Sequence, residues 1–293
     1  MSQPSPTQLA YLIAAVEHRS WTDAAEAEGV STSAFVQGMG ELERRLGVVL
    51  FDKEGRRRVP TSDAIVAAGH ARRVLGALGS LDRWADQTRG GEVGQVRAGM
   101  IDTAAVHHFG EALVRFGALH PELAVRLTVG PSGQLFELLD AGELDVVIAV
   151  APRQVEGLVT RPLVVEPLYV YAPTSTSIGE PPSWGPWVGF PADSRTRAIV
   201  SNALARRGVD FTVVGESSQP AVLREMVRLG MGWTVLAAVD AEREPHALRR
   251  AVATPVAQRV LTLARRSDRR PSAALERFIA MLVSQATFEE DPQ

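Results

Sequence analysis

Apolar residues recur at helical spacing through the N-terminal third of the chain and at strand spacing through most of the rest. Leu9, Leu12, Ile13 and Val16 form a helical stripe behind Ser5–Gln8, a capping-box phrase with Pro6 at the first helical position. A second, short helix is predicted through Asp23, Ala24, Ala25 and Ala27, capped by Ser20 or Thr22 and ended at Gly29. After a turn at Gly29 and Val30, Ser31 or Thr32 caps a third helix whose inner stripe is Phe35, Met39, Leu42 and Leu46. Two helices joined by so short a turn make a helix-turn-helix. Residues 48–61, VVLFDKEGRRRVPT, alternate apolar and polar around Glu54 and Gly55, which predicts a hairpin wing.

From Thr61 to about Thr88 a long helix is expected, with Ala64, Ala67, Ala71, Val74, Leu78, Leu81 and Ala85 at steps of three and four. Such a repeat reads as a coiled-coil seam between two copies, or as a face packed on its own domain. RGGEVG, Arg89 to Gly94, then reads as a flexible linker. Beyond it strands alternate with helices, the pattern of parallel sheets with crossover helices. One unit runs through strands at residues 95–101, 123–129 and 144–150 and helices at 105–119 and 132–140. LVVEPLYVYAP, residues 163–173, reads as a strand that crosses to a second unit. That unit holds WVGF, a helix at 195–207, FTVVG, a helix at 220–229 and WTVLAA; a strand at 260–266 and a helix at 272–284 close the chain. Two α/β halves joined by crossings near Ala151 and Tyr169 imply a cleft with helix N-termini facing it.

Composition narrows the function. Apolar residues at 45% and charged residues at 22% are those of a globular protein, and no apolar run approaches the roughly 20 residues needed to span a bilayer. The N-terminus has no secretory pattern, so a cytoplasmic location without membrane attachment is expected. Zero cysteines exclude disulfides, thiol nucleophiles and thiolate metal sites. His107 and His108 have no carboxylate at ligand spacing, and no GxSxG or GxxxxGK phrase occurs. No metal, cofactor or catalytic residue is therefore expected, and enzyme activity is the least favoured reading.

The net charge of −3 makes the placement of positive charge more informative than its sum. Arg56, Arg57 and Arg58 on the wing suit phosphate neutralisation or minor-groove insertion. Thr32, Ser33, Val36 and Gln37 remain to read bases, Gln37 through adenine and Val36 through a thymine methyl. The third helix also carries Gly38 and Gly40 and has no basic residue before Arg44. Each interior glycine costs about 0.8–1 kcal/mol against alanine. Either something approaches the backbone closely there or an exposed face has drifted.

Ala24-Ala25, Ser31-Thr32-Ser33-Ala34, Leu42-Glu43, Leu46-Gly47, Leu50-Phe51 and Pro60-Thr61, followed by His120-Pro121, Gly142-Glu143-Leu144-Asp145 and Gly230-x-Gly232, together resemble the LysR-type transcriptional regulators over nearly the whole chain. Glu28, Val36, Gln37, Gly38 and Gly40 depart from the family pattern on the DNA-facing side. The resemblance implies an N-terminal all-α winged helix-turn-helix (1–61), a dimerising linker helix (62–89) and a C-terminal α/β domain (90–293) like the periplasmic binding proteins. Its two subdomains would span about 94–164 with 265–285, and about 168–264. The implied partners are double-stranded DNA, a small-molecule effector, further copies of the chain in a homodimer or homotetramer, and RNA polymerase.

Strand ends place Thr103 and Ser132 at helix starts, where backbone N–H groups suit an anion. The corresponding family positions in the second half are Phe190, Ser194, Arg195, Thr196 and Ser217, with Arg197 an alternative to Arg195. Trp233 is either core or cleft wall. The function expected is a ligand-responsive, DNA-binding regulator; the competing reading is a small-molecule-sequestering protein with a degenerate DNA-binding domain.

Overall fold

The structure, a computed structural model, describes residues 3–54, 57–90, 94–151 and 156–286, and the backbone alone for Glu54, Arg57, Ser80 and residues 82–90. Two compact units divide it, one over Met1–Gly91 and one over most of the remainder.

In the first unit, helices α1 (Pro6–Glu17), α2 (Trp21–Ala27) and α3 (Thr32–Leu46) start where serines accept free backbone N–H groups: Ser5 from Gln8, Ser20 from Asp23 and Ser31 from Ala34. Gln8 reciprocates to the Ser5 backbone, completing the capping box. The core gathers Leu12, Phe35, Met39, Leu42, Leu50 and Phe51 around Ala24 and Ala25. Tyr11 lies 4.8 Å from Phe35, and Trp21 meets Phe51 edge-on at 5.3 Å.

The wing strands β1 (Phe51–Glu54) and β2 (Arg57–Pro60) pair antiparallel. Glu43 fixes the wing to α3 by accepting from the backbone N–H groups of Leu50 (2.8 Å) and Phe51 (3.1 Å). Thr61 donates its hydroxyl to the Leu50 carbonyl while accepting from Ala64 N–H, so one side chain ends the wing and caps α4 (Ser62–Gly90). The residue pairs Leu42-Glu43 and Pro60-Thr61 thus carry the joint between helix and wing.

Two expectations change here. Leu46 is 39% exposed rather than part of the inner stripe, because the helix turns off at Gly47 immediately after it. The repeat on α4 divides: Ala64 and Ala71, with Ala68, are buried within this unit, whereas Val74, Leu78 and Leu81 are exposed. α1 is the neighbour of this part of α4, with Glu17 and Arg72 paired at 2.7 Å. Alanine allows such close helix approach, so those positions belong to the domain and only the later ones form a free stripe. Ala85's side chain and linker residues Gly91, Glu92 and Val93 lie outside the described residues.

The second unit is built on a mixed sheet of order β10-β6-β11-β5-β3-β4, with β9 also paired to β6. One lobe contains β3 (Gln95–Met100), β4 (Ala124–Val129) and β5 (Val146–Val150), mutually parallel, with α5 (Gly110–Leu119), α6 (Ser132–Asp140) and α10 (Ala273–Ser284). The other contains β7 (Trp187–Gly189), β8 (Val213–Glu216) and β9 (Thr234–Ala237), with α7 (Arg195–Ala205), α8 (Pro220–Arg228) and the short α9 (Ala238–Ala241). β6 (Leu158–Ala172) and β11 (Ala257–Arg266) run antiparallel through both lobes, with the small β10 (Arg249–Arg250) at the edge. The second crossing is therefore β11, not the segment at Ala151. Arg97 grips Asp145 through its backbone N–H and guanidinium, at 2.6 Å for the shortest contact, which locks β3 to the entry of β5.

The two glycines of α3 separate cleanly. A Cβ on Gly38 would stand 2.8 Å from the Tyr11 ring, whereas one on Gly40 would meet nothing within 4 Å. Gly38 therefore lets α1 and α3 close over the tilted Tyr11–Phe35 pair, and Gly40 is a dispensable loss of helix propensity. Gly40→Ala is expected to stabilise this unit by about 1 kcal/mol. Gly38→Ala is expected to give no gain and to lower stability by up to about 2 kcal/mol through overpacking. Amide hydrogen exchange of α1 and α3 in the full chain measures both.

Candidate functional site

On the first unit, Thr32, Ser33, Val36 and Gln37 are all exposed on the opening turns of α3. Ser33 and Ser31 hydroxyls lie 3.1 Å apart. The cations at the end of that helix are committed: Arg44 and Arg45 both pair with Glu41, and Arg45 also donates to the Gln3 carbonyl at 2.8 Å. Arg58 is partly buried with its guanidinium 5.2 Å above the Trp21 ring. Arg56 lies outside the described residues, as does the side chain of Arg57.

In the second unit the chemistry concentrates where the lobes meet the crossing strands. Arg259 on β11 and Glu166 on β6 are register partners, both buried, and their side chains pair at 2.6 Å. The Arg259 guanidinium also donates to Thr103 (3.0 Å), Asp240 (3.4 Å) and Thr196 (3.4 Å). Thr103, 1% exposed, donates a hydrogen bond from its hydroxyl to the Asp240 carboxylate at 2.9 Å. His108 lies 2.8 Å from the other Glu166 oxygen. Arg243 donates to Nδ1 of His107, leaving Nε2 as the protonated nitrogen, 3.5 Å from Asp240.

A single π-helical turn, Ala104–His108, makes this possible. It underwinds the start of the helical segment that continues as α5, and the two adjacent histidines reach carboxylates from different elements. Although neither histidine has a carboxylate at ligand spacing in the sequence, both imidazoles join one network. Burial alone would raise Glu166, but Arg259 and His108 hold its carboxyl below the usual range. Burial pushes Asp240 up to about 6 against the pull of Arg259, with Glu166 adding to the rise. His107 is held below its ordinary value by burial, then by Arg243 and His108.

The remaining expected positions divide by surroundings. Ser132 accepts from the Val150 N–H at 3.3 Å, and Ser194 caps α7 through Arg197 N–H. Ser217 accepts from Gln219 N–H at 3.1 Å before α8. Thr103 and Thr196 are inside the network rather than on an open wall. Phe190 packs with Tyr171, Leu223 and Leu236, and Trp233 stacks on Trp184 at 5.8 Å, so both are core. Trp233 is held there because the adjacent Gly232 abuts the Pro186 carbonyl, where a Cβ would come within 2.6 Å. Arg197, the alternative cation, is spent on the Phe190 carbonyl and Glu216.

Arg195 is different. Its guanidinium lies 5.3 Å from the Phe136 ring, its Nε is buried without a hydrogen-bond partner, and burial weakens its hold on its proton. It lines a groove of about 710 Å³ with Val150, Asn202, Arg206, Gln258 and Arg259, and no acidic residue lines it. That volume suits a small ligand. Sequence reasoning missed Asp240, Glu166 and Arg259, and named Arg195 but not Arg206. Among the described residues no group of three His, Asp or Glu side chains is placed to hold a metal, and no helix is long and apolar enough to cross a membrane.

Comparison with known proteins agrees with both units. Residues 6–64 match the model of the bacterial regulatory helix-turn-helix protein, lysR family, and residues 89–287 match the LysR substrate binding domain. The uncharacterized HTH-type transcriptional regulator YfeR of Shigella flexneri is 28% identical over 92% of this chain and 90% of its own length. The DNA-binding transcriptional dual regulator OxyR of Escherichia coli is 29% identical over 55% of this chain and 52% of its own. Among solved structures, full-length CbnR complexed with its target DNA superimposes with a TM-score of 0.63 at 24% identity, covering 96% of this chain and 100% of that one, a likeness of fold.

The buried carboxylate gives a pH signature. Because Asp240 binds its proton more tightly folded (about 6) than its ordinary value of 3.8, its contribution to stability is fully present below pH 3.8 and is lost as pH rises through about 6. The stability of the parent relative to Asp240→Asn is therefore expected to fall between pH 4 and pH 7, by up to roughly 3 kcal/mol. Denaturant unfolding of both chains across that range checks it, and their difference cancels most of the opposing contribution of His107.

Proposed function

We propose how this chain, which belongs to the LysR family of DNA-binding, ligand-responsive transcriptional regulators, meets its DNA and its effector. Thr32, Ser33, Val36 and Gln37 read bases from the exposed face of α3, and Arg56, Arg57 and Arg58 neutralise phosphates from the wing. A complete core and three capped helices support a working DNA-binding unit over a decayed one. CbnR, of similar fold, is seen on its target DNA. The free stripe Val74, Leu78 and Leu81 supports pairing of α4 with a second copy, as a homodimer or homotetramer. A regulator of this kind works where the chromosome is, in the cytoplasm, and needs no catalytic residue.

The effector is a small anion seated in the groove against Arg195 and Arg206, with Ser132 and Ser194 nearby on the helix starts. The observation that carries this is Arg195: a partly desolvated guanidinium with no carboxylate partner, in a groove lined by further arginines and no acid. An unpaired cation in such a place is stabilised by an anionic ligand. Relatives include proteins named hydrogen peroxide-inducible genes activators, but a chain without cysteine has no thiol through which to sense an oxidant.

Two experiments test this reading. Binding to duplex DNA is expected to weaken steeply with salt, and changing Arg56, Arg57 and Arg58 to alanine to make the log–log slope shallower by about two to three. An unchanged slope removes the wing assignment, and no DNA binding by the parent in any condition returns the sequestering reading. Small carboxylates screened by thermal shift are expected to yield a hit whose affinity, by calorimetry, drops at least tenfold in Arg195→Ala and severalfold in Arg206→Ala. Unaltered affinity in both places the effector elsewhere.

A further inference from the structure

The contacts of Asp240 are those a protein offers to a bound carboxylate. A hydroxyl donates to both of its oxygens, Thr103 Oγ1 at 3.0 and 2.9 Å. A guanidinium stands 3.4 Å away and a neutral imidazole N–H 3.5 Å away. These groups come from two places: Thr103 and His107 from the first lobe, and Arg259 from a crossing strand. The carboxylate comes from the second lobe, on the four-residue helix α9. Arg259 also lines the groove beside Arg195, so one guanidinium faces both the resident carboxylate and the space assigned to the effector.

We propose that Asp240 is a resident ligand: the chain fills a carboxylate-binding site made by Thr103, His107 and Arg259 with its own side chain, and this pairing latches the two lobes until a small carboxylate in the groove draws Arg259 away. The resident pairing stands on its own geometry, while the release step rests on the anionic reading of the groove. Release takes the Arg259 guanidinium from the Asp240 carboxylate and leaves Arg224 on the backbone carbonyl alone. Thr103 and the more distant His107 then face a buried charge without a cation, which favours separation of α9 from the π-helical turn.

Formate tests the site, since it is the group that Asp240→Ala removes. In full-length Asp240→Ala, sodium formate is expected to raise the midpoint of thermal unfolding saturably and by several degrees beyond sodium chloride at equal ionic strength. The parent, whose site is filled, and Asp240→Ala/Thr103→Val, whose donor is gone, are expected not to respond beyond chloride. Asp240→Ala/Arg195→Ala is expected to keep the response, which separates failure of this site from failure of the groove. Equal effects of formate and chloride on Asp240→Ala overturn the proposal. If that variant does not fold, Asp240→Asn decides by amide exchange: residues 101–109 and 238–246 are expected to exchange at least tenfold faster together while β5 and β11 keep their protection. Parental rates in both segments overturn the latch.

Discussion

The buried pairing of Glu166 with Arg259 is the constraint on which the effector domain depends. Two charges taken out of water on neighbouring crossing strands cost several kcal/mol each unless every remaining donor and acceptor is met. The surrounding residues meet that requirement: His108 takes the second Glu166 oxygen, and Thr103, Thr196 and Asp240 take the guanidinium hydrogens. Because these partners come from both lobes, satisfying the pair also ties the lobes together. With β6 and β11 continuous through both lobes, the cluster is a polar contact between them that can be made or broken, as a ligand-driven switch needs.

The DNA-binding unit answers a different constraint, the fit of three short helices around few large side chains. Tyr11, Trp21, Phe35 and Phe51 form one ring cluster, and Gly38 yields its side chain so that Tyr11 can reach Phe35. The helix that faces DNA is thus partly shaped by packing on its inner side. Thr32, Ser33, Val36 and Gln37 on its outer face carry no charge, and Arg58 of the wing is held against Trp21. The proposed division leaves phosphate contact to the wing and base choice to those four side chains.

Local chemistry made much of this legible from the chain. Ser5, Ser20 and Ser31 cap their helices because a cap needs partners only three residues away. Glu43 and Thr61 sit in recurrent residue pairs because each fixes the helix-to-wing joint, and Asp145 does the same for β3 and β5. Alanines on α4 were ambiguous, since a small residue suits both a self-pairing seam and a close neighbour in the same domain. Trp233 was ambiguous for the opposite reason: a large aromatic suits either a wall or a core, and only its stacking on Trp184 decides. The polar network was invisible. His108 and Glu166 are 58 residues apart, Glu166 and Arg259 93, and Thr103 and Asp240 137, and no periodicity reports charge pairs that only the sheet register brings together.

The measurement that bears most directly on this account is the ionisation of Glu166 and Asp240 read residue by residue, by side-chain carboxyl carbon NMR of the full chain from pH 3 to pH 8. The account requires two unlike carboxylates around one arginine: Glu166 still ionised below the usual carboxylate range, and Asp240 titrating near 6, with its midpoint pushed further up when Thr103 is changed to Val and the ionised form loses that hydroxyl. Ordinary midpoints for both residues in the parent would contradict it, because neither carboxylate would then be buried in a common site with Arg259.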